Sequence, residues 1–323
     1  MSDWANRVYL GSCERMAEIP DESVACCVTS PPYFGLRNYG AEGQIGQEPT
    51  VAEYVERLVG MFREVRRVLR KDGTAWLNLG DSYAAGSMSG KRTRRPGKGL
   101  KPKDLIGVPW RVAFALQADG WYLRDAIIWA KPNPMPSSVS DRCTPSYEFI
   151  FMLAKSRKYY ADMDTVREPL AESSVARFAQ NIEAQNGSTR ANGGGKTNGT
   201  MKAVYKHNEA RVTSQESPNR VWDDPEAKAR ILANGANLRN VWIIATAAYS
   251  AAHFAVFPRE LARRCILIGT PPGGIVLDPF MGSGTVAEVA TGTGRRYVGY
   301  ELNPEYHRLI EDRLGLFRPE AAS

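Results

Sequence analysis

The stretch Ile275-Val276-Leu277-Asp278-Pro279-Phe280-Met281-Gly282-Ser283-Gly284-Thr285 decides the fold class of this 323-residue chain. Its three leading apolar residues predict a short buried strand, and a helix is predicted from Thr285 to about Ala290. Glycines between a strand and a helix let the backbone approach a ligand closely, and the first helical turn offers free N–H groups. This order of elements is typical of a nucleotide-type cofactor site in an α/β fold.

The strand predicted next, at residues 297–302, carries an acid that suits the same kind of site. Glu301 lies near its end, where a carboxylate can accept hydrogen bonds from both hydroxyls of a ribose. Ala287 replaces the third glycine of the dinucleotide fingerprint. The sequence also has no G-x-x-x-x-G-K-[ST] loop, which argues against an ATPase.

Bulky Phe280 helps to choose among the nucleotide-type cofactors. It narrows the room for a pyrophosphate, which dinucleotides carry and S-adenosylmethionine lacks. The loop therefore favours S-adenosylmethionine, with NAD and FAD as alternatives. The candidate cofactor-binding residues are Asp278, Pro279, Phe280, Met281, Gly282, Ser283, Gly284, Thr285 and Glu301.

Strands and helices alternate along the rest of the chain. β-rich or buried apolar runs predict strands at residues 7–10, 24–29, 74–79, 125–130 and 147–154. Apolar residues at helical spacing, or plausible helix caps, predict helices at 51–69, 108–118, 258–268 and 304–314. Such alternation indicates an α/β fold with a mostly parallel twisted sheet and helices on both of its faces. Residues 162–240 break the pattern, because they are poor in apolar residues and rich in Asn, Ser, Gly, Ala and Arg, which predicts an inserted region.

The predicted strand at residues 24–29 ends in the unusual tetrapeptide Ser30-Pro31-Pro32-Tyr33. Two prolines fix two φ angles and remove two N–H donors, so the local carbonyls can only accept hydrogen bonds. Ser30 adds a side-chain oxygen and Tyr33 a flat aromatic face. Together these groups form a slot for a planar group that carries an NH2. A proline-terminated strand at a turn is the alternative reading.

The excess of basic over acidic residues lies in one segment. Seven of the 42 basic residues lie within residues 91–103, without an acid among them, and the other 35 equal the 35 acidic residues. A Gly/Ser/Pro-punctuated basic segment of this kind is typical of contact with a polyanion, although a solvated surface loop is the alternative. The residues that would contact such a polyanion are Lys91, Arg92, Arg94, Arg95, Lys98, Lys101 and Lys103.

With both motifs in view, the chain resembles the DNA amino-methyltransferases, which methylate exocyclic amines with S-adenosylmethionine. That family carries [DNS]-P-P-[YFW] as its catalytic tetrapeptide and F-x-G-x-G as its cofactor loop. Here Ser30-Pro31-Pro32-Tyr33 and Phe280-Met281-Gly282-Ser283-Gly284 match the two motifs. The stretches 128–132 and 253–258 are similar to family segments as well. The family often has Gly-Asp after the first strand, where the acid can meet the cofactor adenine, and this chain has Gly11-Ser12 instead.

Motif order points to the beta class of the family, in which the tetrapeptide precedes the glycine loop. The resemblance implies a Rossmann-like methyltransferase fold with circularly permuted motifs. Residues 1–161 would be its catalytic half, including the basic loop 85–104, and residues 241–323 its cofactor-binding half. The irregular residues 162–240 fall where that class keeps its target-recognition region.

The resemblance implies direct methyl transfer from S-adenosylmethionine to a base flipped out of duplex DNA. Ser30, Pro31, Pro32 and Tyr33 would be the catalytic residues, with Tyr33 stacked on the base. A Ser at the first tetrapeptide position favours N4 of cytosine in this family, and N6 of adenine is the alternative. Two further alternatives are a nicotinamide-dependent oxidoreductase, built on the glycine loop alone, and a DNA-binding protein that has lost activity.

The cysteines, the histidines and the apolar runs indicate which kinds of site and which cellular compartment to expect. The five cysteines are odd in number, scattered and free of C-x-x-C, and only three histidines occur, so neither disulfides nor a metal site is predicted. None of the cysteines follows a proline, as the nucleophile of cytosine-C5 methyltransferases typically does. No apolar run could span a bilayer and no secretory signal is evident, so we expect a cytoplasmic protein. Double-stranded DNA is the expected partner, and a homodimer and a cognate restriction endonuclease are further candidates.

Overall fold

The computed structural model of the chain describes residues 4–84, 100–173, 175, 225–246 and 257–315. Its strands are β1 (Arg7–Leu10), β2 (Val24–Thr29), β3 (Leu69–Leu79), β4 (Tyr122–Ala130), β5 (Tyr147–Ala154), β6 (Val241–Ile243), β7 (Ile275–Asp278) and β8 (Arg296–Glu301). Its helices are α1 (Val51–Val68), α2 (Val108–Ala118), α3 (Pro225–Asn234), α4 (Arg259–Gly269), α5 (Thr285–Gly292) and α6 (Pro304–Gly315).

The described strands form one sheet in the order β1-β8-β7-β2-β3-β5-β4-β6. The first five strands in this order run parallel to one another. β5 pairs antiparallel with both β3 and β4, and β6 pairs parallel with β4. The prediction of an α/β fold with a mostly parallel, Rossmann-like sheet is confirmed.

Helices cover both faces of the sheet because side chains of a strand alternate between the faces. Cys27 and Leu77 point into a buried cluster that includes the apolar stripes of α1 and α2. Their neighbours Cys26 and Trp76 point to the opposite face, where α4 packs. A Cβ on Gly269 of α4 would lie 2.6 Å from Cys26 Sγ and 2.8 Å from Trp76 Nε1, so only glycine permits this close approach.

The positions of β7 and β2 create a crevice at the carboxyl edge of the sheet. The two strands are hydrogen-bonded neighbours, with Cys26 opposite Val276 and Cys27 opposite Leu277. From β7 the chain passes through α5 to β8 on one side, and from β2 it passes through α1 to β3 on the other. Ligands of open α/β sheets bind outside the carboxyl ends of strands at such a reversal of direction.

Several element boundaries differ from the predictions. α1 ends at Val68 and β3 begins at once with Leu69, whereas a helix to residue 69 and a strand from Thr74 were predicted. The reason is the burial of Leu69, which pairs with Val24 of β2 before the register shifts along these two strands. β4 begins at Tyr122 rather than at Asp125, because its antiparallel partner β5 extends that far. Pro258 is the N-cap residue of α4, whereas the sequence predicted it as the first helical residue.

The chain divides into two compact units, Met1–Val166 with Arg239–Ser323, and Arg167–Leu238. Within the second unit, Glu168 and Ala236 exchange backbone hydrogen bonds of 2.9 and 2.8 Å. This unit lies inside residues 162–240, whose role in target recognition stays a prediction. In the part of the chain that the structure describes, no helix is long and apolar enough to cross a membrane.

Candidate active site

The two predicted motifs meet at the crevice between β7 and β2. Thr29, the last residue of β2, donates a hydrogen bond of 2.7 Å from its hydroxyl to Asp278 Oδ1 at the end of β7, across 249 residues of sequence. The tetrapeptide Ser30–Tyr33 starts directly after Thr29, and the glycine loop starts directly after Asp278. Parallel pairing of the strands therefore brings the predicted catalytic and cofactor-binding residues to one edge.

The glycine loop is folded tightly between β7 and α5. Asp278 Oδ1 accepts a hydrogen bond of 3.0 Å from the Phe280 N–H, and the Gly284 N–H donates to the Met281 carbonyl at 2.9 Å. Gly282 and Gly284 have φ values of 56° and 82°, in the left-handed region that favours glycine. The loop thus needs glycine at both positions, as the sequence motif implies.

Glu301 holds the same loop from the neighbouring strand. Its Oε2 accepts from the Gly282 N–H and its Oε1 from the Asn303 N–H, both at 2.8 Å. Burial raises the pKa of this carboxyl, and the backbone donors oppose the rise. Each carboxylate oxygen offers about two acceptor sites, so capacity remains for hydroxyl donors of a ligand.

The hydroxyl groups of two predicted cofactor-binding residues are already bound to protein. Arg313 of α6 donates from Nη1 to Ser283 Oγ at 3.1 Å and to Thr285 Oγ1 at 3.2 Å. Its Nη2 forms a buried ion pair of 2.5 Å with Glu288 of α5. Ser283 and Thr285 therefore anchor the loop to α6 through their side chains, a role that the motif did not reveal.

Asp278, the last residue of β7, carries a buried carboxyl group. Burial raises its pKa from 3.8 to about 7, although hydrogen bonds from Thr29 and the Phe280 N–H act in the opposite direction. The carboxyl is only 4% exposed. Its titration therefore falls in the neutral range, where a side chain normally ionised at pH 7 is partly protonated.

The tetrapeptide lies at the centre of a polar network. The Tyr33 hydroxyl donates to Glu148 Oε2 at 2.6 Å, and burial together with this carboxylate raises the pKa of the Tyr33 hydroxyl. The Ser30 hydroxyl donates to Asn78 Oδ1 at 3.3 Å, and Asn78 Nδ2 donates to Glu148 Oε2 at 3.0 Å. Glu148 also forms an ion pair with Lys131. Side chains from three strands or strand ends thus converge on Ser30 and Tyr33.

Packing holds the Tyr33 ring and one proline carbonyl in place. A Cβ on Gly80 would lie 2.7 Å from Tyr33 Cε2, so the ring rests against the backbone that follows β3. The Tyr54 hydroxyl of α1 donates to the Pro32 carbonyl at 3.0 Å. This bond takes one of the two acceptor sites of the Pro32 carbonyl, so we take the Pro31 carbonyl as the first candidate acceptor for a bound amine.

Sequence reasoning missed Asn78, Glu148, Lys131 and Arg313. Asn78 had a usable signal, since it is the single polar side chain in the buried stretch 75–79 at the end of β3. Glu148 is likewise a single acid at the start of β5, and Lys131 follows β4 directly. Their meeting depends on the antiparallel pairing of β5 with β3 and β4, which the sequence did not predict.

Most of the predicted DNA-binding segment lies outside the described residues, namely Lys91, Arg92, Arg94, Arg95 and Lys98, and so does most of the family-like stretch 253–258. Lys101 pairs with Asp104 at 3.1 Å and Lys103 with Asp141 at 2.7 Å. These four side chains are well or partly exposed, and such pairs are weak enough to exchange partners. Backbone hydrogen bonds join Ala84 with Lys103 and Asp104, so both flanks of the segment are anchored just beyond β3.

Four of the five cysteines are buried. No group of three or more His, Cys, Asp and Glu side chains in the described ranges could hold a metal ion. Burial raises the pKa of the Cys13 and Cys26 thiols to about 12. Burial also raises the pKa of Cys27 and Cys265. These four thiols are therefore suited to packing rather than to attack.

Comparison with known proteins decides the family. A family model described as DNA methylase, N6_N4_Mtase, matches residues 24–312. The chain belongs to this family of amino-methyltransferases. Among curated relatives, the type II methyltransferase M.SmaI of Serratia marcescens is 42% identical over 313 residues, which cover 93% of this chain and 87% of the relative. M.Cfr9I of Citrobacter freundii is 43% identical over 314 residues, covering 93% and 84% of the two chains.

Solved structures support the fold assignment. The PvuII DNA methyltransferase, described as cytosine-N4-specific, has a TM-score of 0.60 at 18% identity, with 99% of this chain and 88% of that chain covered. A putative DNA modification methylase of Thermus thermophilus, solved in complex with S-adenosyl-L-methionine, has a TM-score of 0.57 at 22% identity and coverages of 98% and 95%. The family resemblance and the methyltransferase fold predicted from the sequence are confirmed. Family membership also supports the predicted cofactor, S-adenosyl-L-methionine.

Proposed function

We propose that this chain transfers a methyl group from S-adenosyl-L-methionine to the exocyclic N4 amine of a cytosine flipped out of duplex DNA. The observation that carries the choice of amine is Ser30 at the first position of the tetrapeptide, with its hydroxyl hydrogen directed to Asn78 Oδ1. The similarity to the PvuII enzyme, described as cytosine-N4-specific, agrees with this choice. N6 of adenine is the alternative amine.

The glycine loop and Glu301 fit the cofactor. Gly282 gives the loop a left-handed turn beside the N-terminus of α5, and Glu301 retains acceptor sites for ribose hydroxyls. Phe280 is half-buried and supplies apolar surface next to this turn, whereas Met281 is buried. When bound, S-adenosyl-L-methionine supplies an electrophilic methyl group on a sulfonium sulfur.

The tetrapeptide would position the amine. Ser30 Oγ and the Pro31 carbonyl accept one N–H each, and the free face of Tyr33 stacks on the base. Held in this way, the nitrogen lone pair points away from the ring system and towards the crevice. The nitrogen forms the new N–C bond as the methyl–sulfur bond breaks, and the amine proton leaves to solvent. The contribution of the protein is orientation and exclusion of water.

The DNA would be held mainly through its phosphates. The basic residues 91–103 follow β3, whose carboxyl end carries Asn78 and faces the crevice. Such contacts give affinity with a strong salt dependence and little sequence information. We assign sequence reading to residues 162–240, and a cognate restriction endonuclease fits the type II names of the curated relatives.

The proposal is tested by incubating the chain with mixed-sequence duplex DNA and isotope-labelled S-adenosyl-L-methionine, followed by digestion to nucleosides and mass spectrometry. Labelled N4-methylcytosine is the expected product. Labelled N6-methyladenine would contradict the choice of amine while leaving the reaction type intact. Absence of label on DNA, with cofactor binding intact by calorimetry, would favour a DNA-binding protein without transferase activity.

A further inference from the structure

The Ser30 hydroxyl has two ways to meet an amine, and only one of them helps the transfer. A hydroxyl can donate one hydrogen bond or accept through its lone pairs. The exocyclic amine of cytosine presents N–H donors, so it needs an acceptor. If the hydroxyl instead donated to the amine nitrogen, it would occupy the lone pair that attacks the methyl group. Something must therefore hold the Ser30 hydrogen on the side away from the amine.

Asn78 is placed to do this. Its Oδ1 lies 3.3 Å from Ser30 Oγ and 3.0 Å from the Tyr33 hydroxyl, which is itself 3.3 Å from Ser30 Oγ. Because the single Tyr33 hydroxyl hydrogen goes to Glu148 at 2.6 Å, we assign the Ser30 hydrogen to Asn78 Oδ1. The amide cannot be turned over without loss, because its Nδ2 donates to Glu148 Oε2 at 3.0 Å and to the Phe149 carbonyl at 3.1 Å. A reversed amide would direct an oxygen at two acceptors. Asn78 is 1% exposed, so water does not compete readily for these bonds.

Glu148 fixes the orientation of Asn78 and of Tyr33 together. Its Oε2 accepts from Asn78 and, at 2.6 Å, from the Tyr33 hydroxyl. Its Oε1 meets the ammonium of Lys131, which also lies 4.5 Å from the centre of the Trp129 ring. The Glu148 and Lys131 side chains are 14% and 17% exposed, so the charges are paired in a largely dry site.

We propose that Asn78 and Glu148 are positioning residues of the methyl transfer. Asn78 takes the Ser30 hydrogen so that Ser30 Oγ presents only lone pairs to the target amine. Glu148 fixes the orientation of the Asn78 amide and of the Tyr33 hydroxyl. One hydrogen-bond network therefore positions both the acceptor Ser30 Oγ and the Tyr33 ring that stacks on the base. This inference rests on the proposed amine transfer and adds two residues outside both sequence motifs.

A double-mutant cycle between Asn78→Ala and Ser30→Ala tests the inference, because coupling appears only if one residue acts through the other. In the wild-type background, we expect Asn78→Ala to lower kcat roughly 10- to 100-fold and to change KM for S-adenosyl-L-methionine less than about 2-fold. In the Ser30→Ala background, the same change should lower kcat less than about 3-fold. An equal loss in both backgrounds, or a loss confined to cofactor KM, would overturn the proposal.

A second cycle and a matched control separate positioning from folding. Glu148→Gln should lower kcat in the wild type and much less in a Tyr33→Phe, Asn78→Ala background, where its partners are already lost. Thr74→Val removes another buried polar group from β3, opposite Cys26 and thus four residues before the tetrapeptide, and should lower the melting temperature but leave kcat within about 2-fold. A comparable loss of kcat in Thr74→Val would make the Asn78 effect a stability effect and contradict the assignment. A wild-type chain without methyl transfer would overturn the proposed function as well, whereas an active wild type with additive variants would overturn this inference alone.

Discussion

The buried Asp278 should make the stability of the chain fall as pH rises, and Asp278→Asn should remove this dependence. The folded chain raises the pKa of the carboxyl from 3.8 to about 7, because burial at the end of β7 disfavours the charged form. The folded state thus holds the proton more tightly than the unfolded state. Stability is therefore lost as pH rises from the unfolded pKa, and the loss is complete above the folded pKa.

The size of the effect follows from the two pKa values. The full penalty corresponds to about 4 kcal/mol of unfolding free energy, and about 2 kcal/mol of it develops between about pH 5.5 and pH 8. Asparagine keeps an oxygen for the Thr29 hydroxyl and the Phe280 N–H but does not ionise. The variant should match the wild type below about pH 4, exceed it by about 2 kcal/mol at pH 5.5 and exceed it by about 4 kcal/mol at pH 8.

The assay is urea unfolding of the cofactor-free chain at a series of pH values, with the midpoint and slope fitted at each. Asp72→Asn is the matched control, because it removes one carboxylate that is 40% exposed and pairs with Arg70 at the surface. Its stability curve should run parallel to that of the wild type. A parallel curve for Asp278→Asn as well would refute the argument that burial raises the pKa of Asp278.

The other predictions concern separate parts of the site. Tyr33→Ala should lower kcat more than cofactor affinity and Glu301→Ala the reverse, as measured by steady-state kinetics and calorimetry; equal losses of affinity would count against the roles. Arg313→Met should destabilise the chain by about 3 kcal/mol in urea unfolding, because it leaves Glu288 with a weaker set of buried partners; a change below about 0.5 kcal/mol would contradict this. Replacing Arg94 and Arg95 by Ala should reduce the slope of log affinity for DNA against log salt by about 2, and an unchanged slope would exclude phosphate contact by these residues.

Sequence reasoning was most reliable where local pattern and sheet geometry act together. Apolar runs predicted the parallel strands β2 and β7, and each ends in a motif with its own chemistry. The carboxyl ends of neighbouring parallel strands lie at one edge, so the contact between Thr29 and Asp278 follows once the two strands are paired. The glycine positions also follow from pattern, since the left-handed φ of Gly284 suits only glycine well.

The side chains that hold the site residues in place meet through long-range contacts, which local sequence patterns do not predict. Asn78 and Glu148 are 70 residues apart, and they meet because β5 runs antiparallel to β3. Cofactor binding by Ser283 and Thr285 stays a prediction, and the sequence did not show that their hydroxyl groups accept from Arg313, about 30 residues further along the chain. The start of β3 at Leu69 was missed for a similar reason, because it depends on the pairing of Leu69 with Val24, and the Lys71-Asp72-Gly73 turn signal falls where the register of the two strands shifts.

Expression in a bacterial host whose DNA lacks N4-methylcytosine is the sharpest test of methyl transfer to cytosine N4. Genomic DNA offers nearly every short recognition sequence, so the target sequence need not be known. The host DNA is digested to nucleosides and analysed by mass spectrometry, beside DNA from a host that expresses Tyr33→Ala. We expect N4-methylcytosine with the wild-type chain and far less with the variant. N6-methyladenine in its place, or equal amounts of N4-methylcytosine with both chains, would contradict it.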